Sequence, residues 1–532
     1  MALKLAYGAT VAVFVWMCAQ FYLPGKGFTY LVMFGSNPSA PYVPALKEIN
    51  HYVEPDSKGY DAQYYAQIAM RPWLTNRALN EAMDSMPYRA RRILLSWTAY
   101  ALGWGDPARA LHIFAVQNIA CWFLLAGLLL RWFPATRWEN FARWFGVLFS
   151  FGLCFSVRGA LVDGPSLLLI ALGMMFWEKG RTWWAAAVLG LAGLAKETNI
   201  MAAAAFAPAK WRDAAGWVRA VRCGLLVLAP LALWMLTLQL WLGSGGSAGA
   251  RNFDWPFAAY INRWMETAAI FKTDDAGSIG VWSAMMLVAL TAQWLFFALR
   301  PRWSEGWWRV GATYAVLMVV LGDAVWEGYP GAASRVLLPM LLAFNVLLPR
   351  GRKWWALLLL GNLTVFFSSE TLRAPGRESY RVEGPRKLMM VEPSGRTIEA
   401  VFPEERWFQA ERSRFDYWRW SRGPAEVILR NPQPFAVIVD VALDLKSSDD
   451  RKVTVRASAS GPQGEPGAVL WSGMTVKVLR EVVVRGVVLP PGDTRWKFET
   501  DRAPQQPSSG DPRRVAFSVR NLEIRVLKRS GE

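Results

Sequence analysis

Histidine is nearly missing from this chain: His51 and His112 are the only two in 532 residues. That scarcity argues against Ser-His-Asp or Cys-His chemistry and leaves carboxylates as the available general bases. Cysteine is also sparse. Cys18, Cys121, Cys154 and Cys223 sit within or beside apolar runs, without Cys-x-x-Cys spacing. Neither a disulfide framework nor a zinc site is indicated. Acidic residues are outnumbered, 41 Asp and Glu against 59 Lys and Arg, which leaves a formal charge of +18. Such a balance invites a nucleic-acid partner, but the bases fall between hydrophobic runs and no recognised binding motif accompanies them. No internal repeat is visible. The first apolar run, 5–23, lacks a small-residue cleavage site and reads as a retained anchor.

What the chain has in plenty is apolar surface: 53% hydrophobic residues and 30 tryptophans. About eleven runs approach the length needed to cross a bilayer. They are 5–23, 110–130, 143–157, 160–177, 183–195, 198–208, 223–242, 278–299, 310–326, 333–348 and 354–368. The pairs 143–157/160–177 and 183–195/198–208 are short and read as hairpins whose tips border a cavity. Trp132, Trp144, Trp183, Trp184, Trp303, Trp307, Trp308, Trp354 and Trp355 sit at run ends, as interfacial belts do.

Alternate loops carry Arg131, Arg137 and Arg143; Lys179 and Arg181; Lys210, Arg212, Arg219 and Arg222; Arg300, Arg302 and Arg309; and Arg350, Arg352 and Lys353. The positive-inside rule assigns these to the cytoplasm. The long first loop (24–109), the tips at Arg158–Asp163 and Lys196-Glu197, the loop 243–277, Trp326-Glu327-Gly328-Tyr329 and everything after 370 then share the other face. After about residue 376 the pattern changes to period two. The runs 425–429, 435–441, 452–457, 482–489, 496–499, 514–519 and 522–526 are separated by turn residues, with a Pro/Ser/Gly-rich loop from Arg502 to Arg514. This spacing predicts a β-sandwich of about 155 residues. The expected architecture is a polytopic α-helical membrane domain over 1–370 and an extracytoplasmic, jelly-roll-like β-sandwich over 371–532.

The stretch Gly59-Tyr60-Asp61-Ala62-Gln63-Tyr64-Tyr65 stands out in the first loop. In a helix, Asp61, Tyr64 and Tyr65 share one face, with Gln67 or Ile68 a turn on. One acid framed by phenols suits a sugar, whose C–H faces stack and whose hydroxyls need acceptors. The plainer alternative is an amphipathic helix lying on the membrane with Asp61 as its cap. Asp163, in Asp163-Gly164-Pro165, is either a helix cap or a second cavity carboxylate. Lys196-Glu197-Thr198-Asn199 interrupts apolar sequence, where charge is costly, and reads as functional or as an ion pair. Arg335 suits a bidentate phosphate clamp or a helix-end anchor. Arg89, Arg91 and Arg92 form a basic cluster fit for a lipid-phosphate headgroup.

Gly59-Tyr60-Asp61-Ala62-Gln63-Tyr64-Tyr65, Arg92-Ile93-Leu94-Leu95, Asp163-Gly164-Pro165, Lys196-Glu197-Thr198 and Trp326-Glu327 with Arg335 together resemble the GT-C glycosyltransferase superfamily over about residues 1–370. The C-terminal block, with Glu404-Glu405-Arg406-Trp407 and Trp418-Arg419-Trp420-Ser421, is similar to the carbohydrate-binding-like sandwiches of arabinofuranosyltransferases. The chain departs from protein O-mannosyltransferases in lacking an acidic pair in the first loop. It also lacks a Trp-Trp-Asp motif, so protein is the less favoured acceptor. The resemblance implies an inverting transferase of the bacterial inner membrane, moving a sugar from a polyprenyl-phosphate donor to a glycan or glycolipid acceptor. Asp61 would be general base. Tyr60, Gln63, Tyr64, Tyr65, Arg89, Arg92, Asp163, Lys196, Glu197, Glu327, Tyr329 and Arg335 would bind substrate. No cofactor is required, although Asp61 and Asp163 together could hold a divalent cation. The rivals are a transporter or flippase for a lipid-linked glycan and a non-catalytic assembly protein. Trp418 and Trp420 share a face of one strand, as sugar platform or as core.

Overall fold

The computed structural model describes residues 1–23, 26–35, 38–54, 57–243, 249–271, 277–328, 331–372, 380–381, 398–412, 417–458, 467–476, 478–506 and 513–529. Two compact units emerge: Met1–Tyr22 with Lys26–Arg373, and Ala374–Glu532 with the short Leu23–Gly25.

The first unit is helical. Ala2–Ala19, Pro107–Leu129, Ala214–Leu242 and Gly280–Leu299 are long and apolar enough to cross a membrane. Trp138–Leu148 and Phe151–Arg158 make a fifth span if counted together, bent by 44°. Ser150 is extended there (ψ 144°), which breaks the helical path between them. The expected count of eleven is therefore not met by long helices. Asp163–Glu178, Thr182–Ala195 and Gly306–Val320 have 16, 14 and 15 residues. At ~1.5 Å per residue they fall short of the ~30 Å hydrocarbon layer. The run 198–208 folds as a 3₁₀ helix, Glu197–Phe206.

Two arginines of the basic loops named above are used inside the helical unit. Arg143 is buried and donates to the carbonyls of Asn345, Leu348 and Pro349, at and just past the C-terminal end of Leu338–Leu347. Arg309 donates to Ala204 and Ala205 near the end of the 3₁₀ run. Helix ends leave carbonyls without partners, and a five-donor guanidinium can satisfy several at once. Trp144 and Trp307 are packed inside the unit: both are buried and donate to Ala126 O and Glu178 Oε1. Trp183 and Trp184 remain exposed.

The second unit pairs two sheets. One runs Ala468–Thr475, Arg451–Ser458, Gly492–Thr500, Ala425–Asn431, Glu399–Val401. The other runs Arg480–Leu489, Val437–Ser447, Phe517–Arg529, Tyr417–Trp420, Glu411–Arg412, with Tyr380–Arg381 also paired to Phe517–Arg529. Every second residue of Val437–Ser447 is buried, and these meet Val427, Leu429, Trp496 and Phe498 in one core. The runs 514–519 and 522–526 are not two strands. Phe517–Arg529 continues through a bulge between Arg520 and Glu523, where Asn521 takes φ 50°. Trp407 is core, edge-on against Phe498 and Phe517, while Trp418 packs under Arg520 at 4.3 Å.

Candidate active site

The first loop folds onto the helical unit through backbone that glycine permits. Gly59 has φ +76°, and a Cβ there would lie 2.1 Å from Gln63 Oε1. A Gly59→Ala variant should therefore lose stability by at least ~1–2 kcal/mol, the cost of left-handed backbone for an L-residue, read as a lower unfolding midpoint in detergent. Tyr60 N–H donates to Met33 O at 3.0 Å, tying the turn to the preceding segment. Asp61 then opens the helix Ala62–Met70, but its side chain makes no capping bond. It faces Arg89 instead, Oδ1 to Nη1 at 3.0 Å. Every residue of Ala62–Met70 is buried, so this helix does not lie on a membrane surface.

Asp61 lines a cavity of about 450 Å³ together with Tyr60, Tyr65, Arg92, Asp163, Lys196, Glu327 and Arg335. Three acids and three bases thus share one site, drawn from segments as far apart as Tyr60 and Arg335, 275 residues along the chain. Lys196 does not pair with its neighbour Glu197. Its ammonium reaches Asp163 Oδ1 at 2.6 Å, and Arg335 holds Asp163 Oδ2 at 3.2 Å. Arg335 also donates to the Tyr60 hydroxyl at 3.1 Å. Glu197 is taken by Arg92 (3.0 Å), which donates further to Tyr65 Oη (3.2 Å). Phe151, Phe155, Leu317, Leu321 and Val336 supply the apolar part of the wall.

Several residues proposed from the sequence sit behind this wall. Gln63 accepts from Tyr42 Oη (2.9 Å) and donates to Lys58 O, bracing the loop. Tyr64 shares a hydrogen bond with Ser39 Oγ (2.8 Å). Arg89 lies against the rings of Tyr64, Tyr65 and Tyr88 and is held by Asp84 at 2.6 and 2.9 Å. It is a fixed counter-ion for Asp61, not a cavity-wall residue. Glu197 reaches the site through Arg92. Glu327 is on the wall but is largely exposed and paired with Arg251. Tyr329 lies outside the described residues. Thr198, from the polar stretch singled out in the sequence, is also on the wall, and Tyr88 and Asn252 are wall residues the sequence reading passed over. Tyr88 stands directly before the basic cluster, which was the available signal.

The Asp84–Arg89 clamp has a pH signature. Burial pushes the Asp84 carboxyl up, but the hydrogen bonds and charge of Arg89 outweigh it and hold the group below the ordinary carboxylate range. A depressed folded value means the stabilisation is complete above ~4, the unfolded value, and lost as pH falls through the folded one. Asp84→Asn should flatten that acid limb in a plot of thermal stability against pH. The Tyr60 phenol is pushed up by burial, with Arg335 opposing, and stays neutral. Among the described residues no three His, Cys, Asp or Glu side chains gather closely enough to hold a metal ion between them. Both oxygens of Asp163 are already engaged by cations, which disfavours its sharing a divalent ion with Asp61.

No protein-family model matches this chain, and no curated protein does. One solved structure similar to it is the cryo-EM structure of arabinosyltransferase EmbB from Mycobacterium smegmatis, at 10% identity and a TM-score of 0.37. The match covers 100% of this chain and 64% of that one, so the chain spans less than two thirds of the neighbour's length. A likeness at that level decides neither family nor activity.

Proposed function

We propose that the protein is a membrane glycosyltransferase of the GT-C kind, transferring a sugar from a polyprenyl-phosphate donor to a glycan or glycolipid hydroxyl on the extracytoplasmic face. One observation carries this reading: the Asp61 side chain, 39% exposed, lines the same cavity as Arg92, Lys196 and Arg335. An acceptor hydroxyl is a weak nucleophile at neutral pH. A positioned carboxylate takes its proton as the new bond to the anomeric carbon forms. The bond from that carbon to the phosphate oxygen breaks, and the phosphate leaves with the electron pair. Cationic side chains beside it stabilise the developing charge. With no second carboxylate acting as nucleophile, the displacement inverts the anomeric centre. In this scheme Asp61 is the base, Arg92 and Arg335 face the phosphate, and Tyr60 and Tyr65 offer stacking surface to the sugar.

Arg89 is a positioning residue, because it touches Asp61 and not the cavity. The direct test is transfer from a panel of polyprenyl-phosphate sugars by the purified full chain in lipid. Failure of the unmodified protein with every donor, while it binds or moves lipid-linked glycan, would favour the transporter reading.

A further inference from the structure

At the other end of Asp163–Glu178 and Thr182–Ala195, away from the cavity, a second concavity of about 810 Å³ opens between the turn after Glu178 and the helix Ala214–Leu242. Arg181, Arg219 and Arg222 line it with Trp183, Trp184 and Val218. All six are exposed. Among the described residues none of these three arginines has an ion pair with an acid. The nearest acids in sequence are already used: Glu178 is bonded by Arg131, Trp132 and Trp307, and Asp213 caps the helix through Gly216 N–H at 2.8 Å. Three uncompensated guanidinium groups around a hollow of this size call for an anion. The surroundings are apolar. Val218, Val221 and Leu225 are exposed at i, i+3 and i+7 on one face of the long helix, and Leu191 is exposed on Thr182–Ala195.

We infer that this hollow is a binding site for an anionic phospholipid, its phosphate among Arg181, Arg219 and Arg222 and its acyl chains along Val218, Val221 and Leu225. Guanidinium matches phosphate bidentately, and basic hollows between membrane helices suit acidic headgroups. Trp183 and Trp184 fit the interfacial level, where an indole is apolar in body and polar at one edge. A general excess of positive charge on this side would explain the arginines but not their convergence on one hollow beside an apolar stripe.

The test uses the full chain in detergent and native mass spectrometry with added phosphatidylglycerol or phosphatidylcholine. The unmodified protein should retain phosphatidylglycerol preferentially. The triple variant Arg181→Gln/Arg219→Gln/Arg222→Gln should weaken retention on the order of 100-fold, from about 1 kcal/mol per base at roughly tenfold per 1.4 kcal/mol. A control removing three exposed bases that do not line the hollow, Arg137→Gln/Arg350→Gln/Arg352→Gln, should stay within about twofold of the unmodified protein. Equal losses in the two variants would overturn the site and leave only diffuse attraction. Displacement of the lipid by inorganic phosphate at equal concentration would overturn the lipid assignment in favour of a free-anion site. Partial restoration by Arg181→Lys/Arg219→Lys/Arg222→Lys, which returns the charge without the bidentate fork, with an unchanged size-exclusion profile, separates lost binding from misfolding.

Discussion

Asp61→Asn should lower sugar transfer by about 10²–10⁴-fold, the range a positioned general base supplies. The fold should barely notice. The side chain is 39% exposed, makes no capping bond, and Arg89 keeps its two bonds to Asp84 when the charge at 61 is gone. Asn also retains an oxygen to face Arg89. Asp61→Glu is the sharper control: it preserves the carboxylate but moves it by a methylene, and a misplacement of ~1 Å can cost ~10²-fold. Comparable activity in Asp61→Asn and the unmodified protein would remove Asp61 from the chemistry, whatever its place on the cavity wall.

Asp163→Ala should behave in the opposite way, as a structural loss first. Lys196 and Arg335 each hold one oxygen of Asp163, and the three side chains are only 8%, 10% and 5% exposed. Removing one member of a buried charge group leaves the others unpaired, which costs about 3–5 kcal/mol. Here two cations lose their partner at once. The expected readout is a large drop in unfolding midpoint with loss of activity following it. Combining Asp163→Ala with Lys196→Met should destabilise less than the sum of the two, because the second change removes a stranded charge. Additive effects would show that the pair does not hold the helix ends together.

The contrast between these two carboxylates explains what the chain reveals locally and what it hides. Apolar runs and period-two alternation depend on neighbours within a turn or a pleat, so the helical and β regions could be read from spacing alone. The start of a helix at Asp61 was legible for the same reason. Helix length was less so: Asp163–Glu178 and Thr182–Ala195 end where polar residues find distant partners, and those partners are not in the local pattern. Tyr64 turns from the cavity that Asp61 and Tyr65 line because spacing orients residues relative to one another, and a helix buried all round has no wet side to fix the rest.

Residue spacing alone therefore determined the apolar and alternating segments, the acid at the head of the first-loop helix and the clustering of unusual polar residues in a few short stretches. Tertiary structure alone decided which charges meet. Lys196 passes over adjacent Glu197 for Asp163, and Arg335 closes that pair across 172 residues. The reason is geometric: a buried charge takes the partner its backbone aims it at, and that direction is set by helices packed from the whole length of the chain.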